Sequence, residues 1–141
     1  MTPDADLLHA GVAWRDISPP SPHLLQPTGM GRLEPTRGVL DPLRVEALAL
    51  RAGGKLVFQA ASDTRGVRPE WAEEIHQAVA GQTGCDPRCV FLSATHNHCS
   101  SPDPADDSPA ASEACDIARR RIVDAFIGAC LDAVGQLRPA E

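Results

Sequence analysis

The chain has 141 residues, of which 43% are hydrophobic and 23% charged, an ordinary balance for one globular domain. The formal net charge is -6, and twelve arginines and one lysine are scattered along the sequence. No basic stripe is available to neutralise a run of phosphates, so nucleic acid is not an expected partner. No apolar stretch reaches the ~20 residues of a transmembrane segment. The N-terminus lacks a basic region before an apolar one, so we predict no secretory signal and a cytoplasmic location.

The chain has an odd number of cysteines, which argues against a disulfide framework where no export signal is seen. We expect most of them to be reduced and to serve as small buried side chains. Cys99 is the exception, because it lies beside two histidines. The full set is Cys85, Cys89, Cys99, Cys115 and Cys130.

The first part of the chain predicts a strand and then a long loop. Residues 11–17 form the strand, which ends because Pro19 and Pro20 cannot continue a ladder. Residues 20–42 are rich in proline and glycine and show no apolar periodicity. A loop of that length is usually functional or disordered, and we interpret it as lining a site.

Two further strands and a helix follow. Residues 43–51 and 55–62 have the composition of strands and are separated by an Ala-Gly-Gly turn. Because glycine supplies the positive φ of a tight turn, we predict an antiparallel hairpin. Pro69 suits the first position of a helix, and apolar residues then recur at helical spacing until about Gly81.

The second half predicts one more strand and one more helix. Residues 88–95 form a short apolar run, which is typical of a central strand buried on both faces. A helix begins near Ser108 or Ser112 and ends before Arg138. Its predicted buried face carries Val123, Ile127, Cys130, Val134 and Leu137. The order βββαβα predicts an α/β fold with a mixed β-sheet and flanking helices.

The residues best suited to chemistry are His96 and His98, which follow the predicted central strand. Ligands tend to bind at strand ends in α/β sheets. If the backbone stays extended, the two-residue period puts both imidazoles on one side, close enough to address one ion. Imidazole nitrogen suits Zn²⁺, and a catalytic zinc keeps a position open for water. The pair therefore predicts the centre of a metal-dependent hydrolase site.

The H-x-H pattern by itself leaves a plainer alternative open, in which two imidazoles at a polar strand end only hydrogen-bond nearby carbonyls. Two other hydrolase classes fit less well. A metallo-β-lactamase motif would continue H-x-H-x-D-H, whereas here Cys99, Ser100 and Ser101 follow. An amidohydrolase barrel has H-x-H at the end of its first strand, whereas three predicted strands precede the pair here.

Five short motifs succeed one another along the chain. They are GVAWRDISP at residues 11–19, GMGR at 29–32, GVLDPL at 38–43, SD at 62–63 and LSATHNH at 92–98. In this order they resemble the start of the neutral/alkaline (non-lysosomal) ceramidase family. The likeness extends from about residue 11 to 138. It is strongest in the last motif, which is similar to the T-H-T-H-S-G-P segment that follows a buried strand in the family.

This resemblance implies an activity and two residue roles. In the family the first histidine of the segment is a zinc ligand, and the second lies beside the metal, where it can stabilise the oxyanion formed as water attacks an amide. These roles fall on His96 and His98. The implied function is hydrolysis of the N-acyl bond of a ceramide-like lipid amide with one Zn²⁺ ion, and another small amide is an alternative substrate. Asp63 ends a strand parallel in position to the family's S-x-D segment and is expected to support the site.

The chain also departs from the family. Asn97 and Cys99 replace the usual Thr and Ser, and residues 100–103 replace Gly-Pro-Gly-Gly, which bears on the substrate more than on the fold. The family's other zinc ligands, a His, a Glu and a Tyr, lie far beyond this length. Residues 1–141 are therefore expected to be an incomplete N-terminal part of the catalytic domain, inactive alone. The alternative is a non-catalytic remnant or interaction module that pairs with a second chain. An unfinished sheet would also favour self-association or complementation by a downstream half.

Overall fold

Five strands form one sheet in the computed structural model, which describes residues 7–19, 38–98 and 109–140. The spatial order of the strands is β4-β3-β2-β1-β5. The strands are β1 (His9–Asp16), β2 (Arg44–Ala52), β3 (Lys55–Ser62), β4 (Val90–Ala94) and the two-residue β5 (Arg138–Pro139). The helices are α1 (Pro69–Thr83) and α2 (Pro109–Gly135), and a single 3₁₀ turn, Pro87–Cys89, precedes β4. The predicted α/β fold and element order are confirmed, with β5 added at the end.

The predicted hairpin is also confirmed. Strands β2 and β3 pair antiparallel from Val45 opposite Ser62 to Ala52 opposite Lys55. The turn glycines have φ values of 53° and 74°, the left-handed region that favours glycine. Strand β1 pairs antiparallel with β2, and β4 pairs parallel with β3 after the crossover through α1. The sheet is therefore mixed, and among the described strands only the β3–β4 pair is parallel.

Both helices pack on one face of the sheet and enclose the core. Inward side chains alternate along β2 and β3, as the two-residue period of a strand requires. Helix α1 contributes Trp71, Ile75 and Val79, which lie one turn apart. Among the described side chains of α2, the largest that is fully buried is Phe126, which was not part of the predicted stripe. Of that stripe, Val123 and Cys130 are buried, and Ile127, Val134 and Leu137 are partly buried against the core.

The prediction that the strand before the histidines is central and buried on both faces is wrong. Strand β4 is an edge strand of the described sheet, and the side chain of Phe91 is 59% exposed. The opposite face of the sheet from the helices has no covering layer among the described residues. Val12 and Trp14 on β1 are likewise 60% and 53% exposed. The apolar run therefore reflects one face in the core and one apolar face that is open here.

The sequence also predicts a site-lining loop at residues 20–42 and no transmembrane segment. Most of the predicted site-lining loop, residues 20–37, lies outside the described residues, and residues 38–43 contain no helix or strand. Among the described residues, no helix combines the length and the apolar character that crossing a bilayer requires.

Four of the cysteines are described, and Cys85, Cys89 and Cys130 among them are free thiols. Cys130 is fully buried on α2, and burial, with a smaller contribution from Cys85, raises the pKa of its thiol to about 12. Since only the thiolate is nucleophilic, we expect Cys130 to resist iodoacetamide at pH 8 in the folded chain and to react in urea. Half-buried Cys89 is the internal reference. Peptide mass spectrometry would show native labelling of Cys130 as fast as that of Cys89 if this core were loosely packed.

Candidate functional site

The candidate site is built where β3 and β4 end side by side. Their parallel pairing continues past the strands, because Thr95 N–H donates to the carbonyl oxygen of Ser62 at 2.9 Å. Asn97 N–H donates to the carbonyl oxygen of Thr64 at 3.1 Å. Two loops, residues 62–66 and 95–98, are thereby held against each other. His96 lies between the two ladder bonds, so its position depends on the loop after β3 as well as on its own strand.

The predicted proximity of the two histidines is confirmed. The ring centroids of His96 and His98 are 4.6 Å apart with the rings nearly perpendicular, and their Nε2 atoms are 3.1 Å apart. The expected reason, continued extended backbone, is wrong. Strand β4 ends at Ala94, and His96 has a φ of 61°, in the left-handed region. Histidine is one of the residue types that adopts this region more readily, and here the resulting bend brings the rings together.

The hydrogen bonds of His96 define which of its nitrogens is free to act. Its Nδ1 lies 2.8 Å from the carbonyl oxygen of Arg65. Because a carbonyl oxygen only accepts, the neutral imidazole must carry its proton on Nδ1 and a lone pair on Nε2. The Nε2–H of His98 then donates to that lone pair across the 3.1 Å contact. The two facing nitrogens therefore differ: one is an acceptor and the other a donor.

The two histidines also differ in burial. His96 is exposed, whereas His98 is half-buried, and its Nδ1 atom is inaccessible to solvent with no hydrogen-bond partner among the described residues. A surface pocket between β1 and α2, lined by Arg15, Arg121 and Asp124 among others, does not include either ring. Residues 99–108, which follow the pair directly, lie outside the described residues. The predicted metal-dependent hydrolase site around the two rings therefore stays a prediction.

Asp63, which directly follows β3, accepts hydrogen bonds from two neighbouring segments of the chain. Its carboxylate accepts a hydrogen bond from the N–H of Arg44 at 3.1 Å and one from the hydroxyl of Thr95 at 3.3 Å. These bonds link the start of β2 to the loop that carries His96. Asp63 therefore connects these two segments, a position that fits the supporting role expected for it.

The chemical type of the donor atoms fits a zinc ion. The number of ligating side chains among the described residues is too small for a zinc site. A zinc-binding histidine usually donates its other ring N–H to a carbonyl or carboxylate, which is the arrangement of His96 with Arg65. Within residues 7–19, 38–98 and 109–140, however, no three His, Cys, Asp or Glu side chains are grouped as a metal site needs. Cys99 and Asp103, which are close in sequence, lie outside the described residues. These two groups are bonded to each other at 3.1 Å, so the pair supplies one oriented lone pair and one N–H donor when that hydrogen bond opens.

Comparison with solved structures decides the fold family. Neutral ceramidase from Pseudomonas aeruginosa matches 96% of this chain with a TM-score of 0.77 and 19% identity. A ceramidase complexed with C2 matches 94% of it with a TM-score of 0.71 and 16% identity. The chain has the fold of a segment of neutral ceramidase. The resemblance seen in the five sequence motifs is confirmed at the level of the fold.

The ceramidase-like chain is short beside these two proteins. It spans 23% of the length of the first and 22% of the length of the second. No protein-family model matches the chain, and a search of curated proteins finds no match. At 16–19% identity the likeness establishes the fold and not the reaction.

Proposed function

We propose that this chain supplies part of the active site of a zinc-dependent amide hydrolase of the neutral ceramidase type. The substrate would be a ceramide-like lipid amide, cleaved at its N-acyl bond. The observation that carries the proposal is the opposite polarity of two facing nitrogens, a lone pair on His96 Nε2 and an N–H on His98 Nε2, 3.1 Å apart. Amide hydrolysis needs one group of each kind beside the carbonyl that is attacked.

The two histidines have separate roles in this proposal. His96 would hold the metal through Nε2, with the carbonyl of Arg65 fixing its ring. When bound, Zn²⁺ would polarise the amide carbonyl and acidify the attacking water. His98 would donate its Nε2–H to the oxygen that becomes negatively charged as the carbonyl is attacked. Half-burial of His98 strengthens such a hydrogen bond, because less water competes for it.

Further metal ligands have to come from other residues. A catalytic zinc generally has three protein ligands, and the described residues offer no group of three. The remaining ligands would be supplied from elsewhere in a longer chain or by a partner polypeptide. The two similar ceramidases are each more than four times longer than the matched segment, which supports this division of the site.

A second candidate is a non-catalytic module that pairs with another chain. Two observations favour it: β4 is a sheet edge in the described structure, and Phe91, Val12 and Trp14 leave one sheet face apolar and open. Such surfaces favour association, with a second copy or with a downstream half. Hydrolysis by the combined polypeptides separates this candidate from the first.

The metal-site part of the proposal is testable on the chain alone. We expect Zn²⁺ to bind weakly, because at most two imidazoles hold it, and to shift the ring signals of His96 in spectra of ¹⁵N-histidine-labelled protein. His96→Ala should remove this saturable binding. His76→Ala, which removes a half-buried imidazole from α1, is the matched control and should leave it intact. Zinc binding of equal strength in His96→Ala and in the unmodified chain would contradict the assignment of His96 as a metal ligand.

A further inference from the structure

We propose that Ser62 and Thr64 are positioning residues for His96, acting through the backbone of Arg65. The two are buried polar side chains, 1% and 4% exposed, at the end of β3. Neither was singled out by the H-x-H pattern. The inference rests on the proposed function for its purpose, but its geometry stands independently of it.

The two hydroxyls, referred to below as the hydroxyl pair, form a directed chain of hydrogen bonds. Their oxygens are 2.7 Å apart, and Thr64 Oγ1 donates to the carbonyl oxygen of Gly66 at 3.2 Å. A hydroxyl has one proton to donate. Since the proton of Thr64 is used on Gly66, Ser62 must be the donor to Thr64. The chain therefore runs from Ser62 through Thr64 to Gly66.

This chain of bonds closes the loop around Arg65. The bond from Thr64 to Gly66 spans the Arg65–Gly66 peptide, whose carbonyl oxygen accepts from His96 Nδ1 at 2.8 Å. The carbonyl of Thr64 itself accepts from the N–H of Asn97, so Thr64 also holds the backbone that follows His96. The hydroxyl pair thus fixes the direction of the one carbonyl that sets the His96 tautomer.

The consequence is chemical as well as structural. With Nδ1 donating to Arg65, the proton stays on Nδ1 and the lone pair faces His98 from Nε2. If the Arg65 carbonyl turned away, the proton could move to Nε2 and the metal-binding lone pair would be lost. Bonds to a ligating histidine of this kind typically change metal affinity by about 10–100-fold when they are removed. The hydroxyl pair therefore prepares His96 for a cation before any cation is present.

The test reads the tautomer of His96 directly in the metal-free chain. Nitrogen NMR of ¹⁵N-histidine-labelled protein, with His96→Ala for assignment, distinguishes Nδ1–H from Nε2–H in the neutral imidazole. We expect Nδ1–H in the unmodified chain. Thr64→Val, which keeps the shape and removes the hydroxyl, should move His96 towards Nε2–H and weaken zinc binding about 10-fold or more. Thr64→Ser should restore both.

A matched control and a second variant keep the result decisive. Thr83→Val removes a hydroxyl that bonds the carbonyl of Val79 at the end of α1, and it should change neither readout. If Thr64→Val does not fold, Ser62→Ala tests the inference in its place. This variant removes only the donor to Thr64 and should shift the His96 tautomer partially towards Nε2–H. An Nδ1–H tautomer unchanged in the folded variant would overturn the inference. Absence of amide hydrolysis in a completed enzyme would count against the proposed function and leave the tautomer result intact.

Discussion

His96→Ala is expected to abolish both zinc retention and hydrolysis of a ceramide analogue in a completed enzyme, one that joins residues 1–141 to the segment supplying the missing ligands. His98→Ala should retain zinc and lower kcat by about 10²–10³, the usual effect of losing one oxyanion donor. The difference follows from the hydrogen bonds, since His96 presents a lone pair oriented by Arg65 and His98 presents an N–H. Metal content and steady-state kinetics on the same preparations measure both effects.

The completed enzyme can be made by placing these residues in place of the matching segment of the Pseudomonas aeruginosa neutral ceramidase, or by co-expression with its remainder. Residues 1–141 alone should show no turnover, because two imidazoles do not make a catalytic zinc site. His76→Ala serves as the control and should leave kcat unchanged. Full activity in His96→Ala would refute the metal assignment, and zinc-dependent turnover by the isolated chain would refute the shared site.

Much of the fold was predictable because local chemistry and tertiary structure agree. The two glycines of the predicted turn determine the β2–β3 hairpin, since both adopt positive φ, and Ala52 pairs with Lys55 across the resulting two-residue turn. Pro69 starts α1, and the helical spacing of Trp71, Ile75 and Val79 identifies its buried side. In each case a few neighbouring residues determine the outcome, so no knowledge of distant contacts is needed.

The position of β4 was not predictable in the same way. A short apolar run is compatible with burial on both faces, and nothing within residues 90–94 tells whether a further layer covers Phe91. The strand is placed at the edge by its parallel pairing with β3 through α1. That arrangement depends on contacts between segments about thirty residues apart.

The site followed from the sequence only in part. The H-x-H pattern predicted that the rings would meet, but the left-handed φ of His96 depends on the loop after β3, which no pattern in residues 92–98 reveals. The Ser-x-Thr spacing of the hydroxyl pair was visible, yet such residues are common at strand ends. Only their burial and their bonds around Arg65 give them a role.

Gly11→Ala adds one methyl group, and we expect it to destabilise the fold more than any other change of that size. A Cβ at Gly11 would overlap the carbonyl oxygen of Ala133 and lie 2.9 Å from both the carbonyl carbon of Gln136 and the nitrogen of Leu137. These are backbone atoms of the last turn of α2 and of the two residues that follow it, so no side-chain rotation can relieve the overlap. Either β1 or the end of α2 has to shift. We expect the free energy of unfolding to fall by about 3 kcal/mol.

Gly81→Ala is the matched control, because it adds the same methyl group where nothing lies within 4 Å. Gly81 is exposed within α1, and alanine there should stabilise the chain by about 0.5–1 kcal/mol. Urea unfolding of both variants beside the unmodified chain measures the two opposite shifts. Gly11 opens the first of the five motifs that resemble the ceramidase family, and the clash gives that glycine a physical reason: β1 meets the end of α2 at backbone contact. Equal midpoints for Gly11→Ala and the unmodified chain would mean that this contact does not exist in solution.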